Sequence, residues 1–296
     1  MIPAPFDYHA PQTLEEAFAL LTSHGAESGD AKVLSGGQSL LPLLKLRLGA
    51  TGHLVDIGRI PGLEYIREEG GFLLIGGRTR ESALEHSDFV RAKYPILADT
   101  AEVIADPLVR NLATVGGNLA HGDPANDHPA TMLALSAQVV ATSPRGTRTI
   151  AIDDFFLGLF QTALQADEIL TEIRIPEPPA PPLRSGGAYV KLERKVGDFA
   201  TAATAVQLTL GAGGAIERVG IGLTNAGPTP IRASEAERLL TGQMPTEERI
   251  AEAARLAAAA TSPGADRRGQ IEYKRQMARV LTVRALKRAL ARAREH

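Results

Sequence analysis

No cysteine occurs among the 296 residues of the chain. This absence excludes disulfides, thiolate zinc sites, a nucleophilic cysteine and any cysteine-ligated iron–sulfur cluster within the chain. Tryptophan is absent as well. Because no side chain that remains cycles its redox state readily, any redox chemistry must come from a bound cofactor.

The chain also lacks an excess of charge of either sign. It carries 32 basic and 34 acidic residues, for a formal net charge of -2, so there is no positive surplus to hold a nucleic-acid backbone. The longest apolar runs are about ten residues, too short to span a bilayer. The N-terminus, MIPAPFDYHAP, has neither a basic region nor an apolar core typical of a Sec signal peptide. We therefore expect a cytoplasmic protein that binds no nucleic acid.

A hydrophobic content of 44% is ordinary for a globular protein with a sizeable core. The clearest linker is the proline-rich run at 176–182, which should be stiff and extended. Before it, hydrophobic periodicity predicts an α/β unit, and after it an antiparallel sheet with helices packed on it. The predicted strands are 32–34, 53–57, 63–67, 72–75, 138–142, 147–152, 169–175, 188–193, 200–210 and 216–223. A capping box at Thr13 and Glu16 predicts a first helix that ends near Gly25. The other predicted helices are 40–48, 79–86, 88–105, 129–137, 153–164, 234–241, 246–260 and 271–293, with 106–127 irregular. The arginines of the last helix are expected to form a solvated face.

Two glycine pairs are the first candidates for a binding site. Residues 35–39, Ser-Gly-Gly-Gln-Ser, lie between a predicted strand and a predicted helix. Backbone N–H groups in such a turn, together with the helix dipole, suit a phosphate or diphosphate, and glycine lets it approach closely. A second Gly-Gly turn lies at 114–118, and the two could grip opposite sides of one diphosphate. Neither matches a standard nucleotide fingerprint, and each alone can also be an ordinary turn.

A third candidate is the run His121-Gly-Asp-Pro-Ala-Asn-Asp-His128. Its histidines and aspartates could indicate a metal site or an acid/base pair. The spacing matches no standard zinc motif, and the Pro and Asn residues favour side-chain-stabilised turns. We therefore expect no metal here.

Taken together and in order, these pieces resemble the FAD-binding medium subunit of the xanthine dehydrogenase and aerobic carbon monoxide dehydrogenase family of molybdenum hydroxylases. The resemblance rests on six stretches in register across essentially the whole chain. They are VLSGGQSLLPLLKLRL (33–48), DIGRI (56–60), RNLATVGGNLAHGDPANDHPA (110–130), DEILTEIRIP (167–176), AYVKLERKVGDFA (188–200) and IGLTNAGPTPIRA (221–233).

The resemblance implies an α+β fold with two α/β FAD-binding subdomains, as in the vanillyl-alcohol-oxidase-like (PCMH) proteins, and a C-terminal domain of antiparallel sheet with helices. The implied bounds are 1–56 and 57–177 for the subdomains, 178–183 for the linker and 184–296 for the C-terminal domain. The implied diphosphate cradle comprises Val33, Leu34, Ser35, Gly36, Gly37, Gln38, Ser39 and Leu40 with Thr114, Val115, Gly116, Gly117 and Asn118. The further implied contacts of the dinucleotide or flavin ring are Ile104, Asp127, Ile169, Leu170, Tyr189 and Lys191, with Asp198 also near the ring.

The same resemblance implies non-covalent FAD in this chain, with molybdopterin and [2Fe–2S] clusters only in a large and a small partner subunit. The complex would be a dimer of heterotrimers that passes electrons to a quinone, NAD or oxygen, in the cytoplasm or at the inner face of the membrane. Gln38 replaces a histidine common in relatives, but both side chains hydrogen-bond. A cysteine-bearing insertion for a four-iron cluster is missing. The alternatives are a stand-alone FAD-dependent oxidoreductase with His121 or His128 above the flavin, and a non-enzymatic flavin-binding module.

Overall fold

The N-terminal part of the chain is a small parallel sheet with one long helix. The structure is a computed structural model that describes residues 2–25 and 30–295. Its first elements are β1 (Asp7–His9), α1 (Leu14–Gly25), β2 (Ala31–Leu34), α2 (Leu40–Lys45) and β3 (His53–Asp56). The strand order is β1-β3-β2. α1 begins at a Thr13 cap, whose hydroxyl accepts from the Glu16 N–H at 3.2 Å, and buries Phe18 and Leu21 against the sheet.

The middle of the chain forms an antiparallel sheet of order β4-β5-β10-β6-β7, flanked by short helices. Its strands are β4 (Ile66–Glu69), β5 (Phe72–Gly76), β6 (Gln138–Ser143), β7 (Gly146–Ala151) and β10 (Ile169–Pro176), with a separate pair β8 (Phe156–Gly158) and β9 (Gln161–Thr162). Its helices are α3 (Glu81–Glu85), α4 (Asp88–Lys93), α5 (Pro95–Glu102), α6 (Pro107–Arg110), α7 (Val115–His121) and α8 (His128–Ala134). The central strand β10 is buried, and Ile173 packs in the main core with Ile75 and Val139.

The C-terminal part is a sheet of order β11-β12-β13-β14 with helices. Its elements are β11 (Arg184–Leu192), β12 (Ala202–Leu210), β13 (Ile216–Thr224), β14 (Ile231–Arg232), α9 (Ser234–Leu240), α10 (Glu247–Ala259) and α11 (Ile271–Glu295). α11 and α5 both pack on β11, with Ala289 against Gly186 and Ile96 against Gly187. The predicted α+β class, with an antiparallel C-terminal sheet and helices, is therefore confirmed.

Asp99 of α5 ties the C-terminal helix to the middle of the chain. Its buried carboxylate accepts from Arg292 at 2.7 Å and from Arg288 at 2.9 Å, and from the Tyr189 N–H at 3.2 Å. The expectation that the arginines of the last helix form a solvated face was therefore wrong for Arg292, whose side chain is only 23% exposed, whereas Arg288 stays half exposed.

Three local predictions were wrong. The helix expected at 153–164 is instead the β8–β9 pair, because Phe160 takes a left-handed backbone (φ 56°) that a helix does not allow. The irregular region at 106–127 contains α6 and α7. α6 begins at an Asp106 cap that accepts from the Val109 N–H at 3.0 Å. The helix expected at 88–105 is divided into α4 and α5 at Pro95, because the residue before a proline avoids the helical conformation.

Candidate functional site: a cleft between two glycine segments

The first glycine segment (residues 35–39) follows the carboxyl end of β2 and leads into α2. Gly37 has a φ of 74°, a left-handed conformation that favours glycine. The first backbone bond of α2 runs from the Leu41 N–H to the Gly37 carbonyl at 3.0 Å, so the N–H groups of residues 38–40 precede the helical ladder. The side-chain amide of Gln38 donates to the Gly36 carbonyl at 3.0 Å and closes the turn.

The second glycine segment (residues 114–118) is the start of α7 rather than a free turn. Thr114 caps the helix, and its hydroxyl accepts from the Gly117 N–H at 3.2 Å. Reading this segment as another Gly-Gly turn was therefore incorrect. The two consecutive glycines, poor helix formers, obscured the helix, although the Thr114 cap was visible in the sequence.

The two segments meet directly although 79 residues separate them. The hydroxyls of Ser35 and Thr114 lie 2.9 Å apart and share a hydrogen bond. A Cβ at Gly36 would lie 2.3 Å from the carbonyl oxygen of Leu112, so only glycine allows this approach. Both segments therefore face one cleft.

Gly77, which sequence reasoning missed, holds α7 against β10. A Cβ at Gly77 would lie 2.2 Å from the Leu170 carbonyl oxygen, and a Cβ at Gly116 would lie 2.3 Å from the Gly77 carbonyl oxygen. Three backbones thus converge at one wall of the cleft. The signal was present, because Gly76-Gly77 is a further glycine pair, placed directly after a predicted strand.

The cleft has a volume of about 830 Å³, within the range of small-molecule sites. The two glycine segments line the cleft, and so do residues of the β8–β9 pair and of the approach to β10. The lining residues predicted from the sequence are Val33, Ser35, Gly36, Gly37, Gln38, Ser39, Leu40, Thr114, Gly116, Gly117, Asn118, Ile169 and Leu170. The lining residues that it missed include Ile57, Gly77, Ala113, Phe160, Gln161, Thr162 and Gln165.

The other predicted residues do not line this cleft. Leu34 and Val115 point into the core beside it. Ile104, Asp127, Tyr189 and Lys191 lie instead around a buried polar cluster between β11 and the start of α8.

The polar cluster centres on the Asp127 carboxylate. It accepts from the Tyr189 hydroxyl at 2.6 Å and from the Lys191 ammonium at 3.0 Å. Lys191 also donates to the Val103 carbonyl at 2.9 Å, next to Ile104. Burial raises the pKa of the Asp127 carboxyl, and the Lys191 ammonium opposes that rise. Burial also raises the pKa of the Tyr189 hydroxyl well above its usual value, so that it stays a neutral donor.

Asp198 lies in the β11–β12 hairpin and is held by arginines. Its carboxylate accepts from Arg268 and from Arg194, each at 2.9 Å. The hydrogen bond from Arg268 is the main cause that lowers the pKa of Asp198 to about 2. Asp198 is therefore a fixed anion.

The two histidines of the 121–128 run have different environments. His121 lines the cleft, with its ring 5.0 Å from that of Phe160, and burial lowers its pKa. His128 is fully buried, and its Nε2 lies 2.6 Å from a carboxylate oxygen of Glu81, which is also fully buried. The structure thus separates the residues that suggested an acid/base pair.

These features fit a dinucleotide with a central diphosphate. Gly36 allows the first segment to lie against Leu112 and Ala113, just before the second segment, and Gly116 allows the second segment to lie against Gly77. N–H groups at a turn that leads into a helix suit phosphate oxygens. Ile169 and Leu170, at the start of β10, add apolar residues to the lining of the cleft.

Comparisons with known proteins identify the family of the chain. Residues 4–178 match the family model described as the FAD binding domain in molybdopterin dehydrogenase, and residues 187–289 match the CO dehydrogenase flavoprotein C-terminal domain. The chain is 47% identical to the carbon monoxide dehydrogenase medium chain of Afipia carboxidovorans, over 99% of both chains.

Solved structures show the same likeness. A chain of the carbon monoxide dehydrogenase from Hydrogenophaga pseudoflava superimposes with a TM-score of 0.94 and 48% identity, covering 99% of this chain and 100% of that one. A chain of quinoline 2-oxidoreductase from Pseudomonas putida 86 superimposes with a TM-score of 0.89 and 31% identity, covering 99% of each. Within the described residues, no helix is long and apolar enough to cross a membrane.

Proposed function

Because the chain belongs to the family of FAD-binding subunits of molybdopterin dehydrogenases, we propose that it is the electron-transfer subunit of a molybdenum hydroxylase. It receives electrons from [2Fe–2S] clusters of a small subunit and passes them to an external acceptor, a quinone, NAD or oxygen. The observation that carries the proposal is the contact of the two glycine segments through Ser35 and Thr114 at one cleft.

In this proposal residues 33–40 and 114–118 hold the diphosphate of FAD. Ile169 and Leu170 lie beside the isoalloxazine ring. Ile104 and the polar cluster lie at the end of the ring that is farther from these two residues. The ring supplies the redox chemistry. The residues of this chain bind it, orient it and exclude water from it.

Lys191 adjusts the electrostatics of the ring. Its side chain is only 2% exposed, so its charge is weakly screened by solvent. An ammonium in that position stabilises negative charge that forms nearby. Asp127 and Val103 hold the ammonium in place through the bonds described above, and Glu193 lies 3.4 Å from it.

The proposed partners are a large molybdopterin subunit and a small [2Fe–2S] subunit, in a dimer of heterotrimers. The absence of cysteine requires that cysteine-ligated clusters be held by another chain. The substrate is then bound outside this chain. Carbon monoxide is the first substrate to test, since the relatives at 47% and 46% identity are carbon monoxide dehydrogenase medium chains. Cytoplasmic residence, or contact of the complex with the inner membrane face, remains a prediction for cell fractionation.

Purification of the native complex tests the assignment. We expect three kinds of subunit, FAD in stoichiometric amount, and loss of the visible flavin absorption when substrate is added without air. A complex whose molybdenum and iron centres are reduced while the flavin absorption persists would contradict the electron-transfer role.

A variant of the second glycine segment tests the cleft itself. Gly117→Val adds a branched side chain, whose Cβ alone would lie 2.7 Å from the Thr114 hydroxyl and 3.7 Å from Ser35. We expect this variant to keep its far-ultraviolet circular dichroism but to lose bound FAD. Gly49→Val is the control, because a Cβ there meets nothing within 4 Å. Wild-type FAD occupancy in Gly117→Val would refute the cradle.

Turnover by the isolated chain distinguishes the stand-alone oxidoreductase. His121 would be its acid/base residue, because it lines the cleft whereas His128 is enclosed with Glu81. We expect no turnover of aldehydes, purines or N-heterocycles by the flavin-loaded chain alone. Turnover by the isolated chain that is abolished in the His121→Gln variant would favour that alternative.

A further inference from the structure

Three histidines from separate elements converge on the N-terminal sheet. His9 ends β1, His53 begins β3 and His24 lies in the last turn of α1. Their rings stack, with centroids 3.9 Å apart for His24 and His53 and 5.4 Å apart for His9 and His53. One ring nitrogen from each lies within 4.8 Å of the others, and all three side chains are half-buried.

The nitrogen positions suit a shared metal ion. The Nε2 of His9 lies 3.1 Å from the Nδ1 of His53. Two imidazole ligands on one tetrahedral zinc ion, each bound at about 2.0–2.1 Å, have nitrogens roughly 3.3 Å apart. Because the lone pairs of stacked rings lie in nearly parallel planes, the rings must rotate out of the stack to direct all three lone pairs at one ion.

The electrostatic surroundings favour a cation. A carboxylate oxygen of Asp7 lies 3.9 Å from the Nδ1 of His53, close enough to become a fourth ligand after a side-chain rotation. The C-terminal end of α1, where His24 lies, carries the negative end of the helix dipole. None of the three histidines lines the FAD cleft, so this cluster is separate from the flavin site.

We propose that His9, His24 and His53 together bind one divalent transition-metal ion, with zinc as the representative metal. Neutral imidazole nitrogens with one carboxylate favour zinc, nickel or copper over magnesium or calcium, which prefer oxygen ligands. The bound ion joins β1, α1 and β3. Because β3 pairs with β2, after which the first glycine segment begins, the ion also stabilises the sheet that holds this segment.

Zinc binding to the untagged, flavin-loaded full-length chain tests the site. We expect calorimetry with zinc chloride to give one zinc per chain and a raised melting temperature. His24→Gln and His53→Gln should each weaken zinc binding by more than about tenfold, since losing a mere outer-sphere partner already costs 10–100-fold. His86→Gln is the control, because the His86 side chain is 73% exposed and lies outside the cluster. Uptake that persists unchanged in both cluster variants would overturn the proposal.

A second measurement does not depend on the variants folding. Cobalt(II) added to the wild-type chain should give visible absorption bands of a tetrahedral nitrogen-ligated ion, and zinc should remove them. A cobalt spectrum that matches the aquo ion, or no zinc uptake at a tenfold excess, would equally overturn the site.

Discussion

Replacing Gly36 by alanine should separate the two glycine segments. The new Cβ would lie 2.3 Å from the Leu112 carbonyl oxygen and 2.8 Å from the Ala113 Cα. Because non-bonded atoms settle at about 3.5 Å, the segments must part by roughly 1 Å. That movement lengthens the 2.9 Å bond between Ser35 and Thr114 beyond hydrogen-bonding range. Overpacking of this kind costs about 1–3 kcal/mol.

If most of that cost falls on the bound state, the dissociation constant for FAD rises by about 5- to 150-fold, at 1.4 kcal/mol per tenfold. Fluorescence titration of the deflavinated full-length chain with FAD measures this change, and melting without FAD measures the effect on folding. Gly49→Ala is the matched control, since its Cβ meets nothing within 4 Å. Wild-type affinity and melting temperature in Gly36→Ala would show that the segments do not need their close contact.

Three further changes have defined outcomes. Thr114→Ala removes both the cap of α7 and the bond to Ser35, so denaturant unfolding should show a loss of about 1 kcal/mol; an unchanged midpoint would count against the cap. Asp99→Ala leaves Arg292 without its buried partner, and thermal unfolding should show a loss of about 3 kcal/mol, whereas a loss below 1 kcal/mol would mean that the tie is weak. The pKa of Asp198 is lowered to about 2, so its contribution to stability is present above about pH 4 and disappears as the pH falls toward 2. In Asp198→Asn, the free energy of unfolding should therefore change less with pH in that window. An unaltered pH dependence would contradict the ion pairs.

Much of the fold follows from local patterns in the sequence. The hairpin of β6 and β7 and the three long strands of the C-terminal sheet were predicted within a few residues, because alternation and turn residues specify them locally. α1 was visible from its Thr13 cap. The first glycine segment was predicted as a turn between a strand and a helix, and it occupies that position.

Tertiary contacts determine what the sequence could not show. The β8–β9 pair depends on Phe160, whose N–H donates to the Gly122 carbonyl at 3.0 Å. The hydrophobic pattern of residues 153–164 alone gives no sign of that contact. The burial of His128 depends on Glu81, which is 47 residues away, and neither residue alone signals the pair. Helix propensity predicted a turn at Gly116, whereas its contact with Gly77 stabilises a helix there.

The predicted cofactor contacts also fall into two groups, those predicted from local sequence and those implied only by the family resemblance. Residues of the two glycine segments were predicted from local chemistry, and the structure brings them to one cleft. Asp127, Tyr189 and Lys191 were implied by family resemblance alone, and the structure places them in a buried cluster of their own. Their role toward the flavin ring stays a prediction, which Lys191→Met would address through the flavin reduction potential.

A crystal structure of the flavin-loaded chain, alone or in its complex, would decide where FAD binds. We expect both phosphates of the dinucleotide between residues 35–39 and 114–118, within hydrogen-bonding distance of backbone N–H groups from each segment. A diphosphate bound to only one segment, or outside the cleft that Ser35 and Thr114 close, would contradict the proposed function.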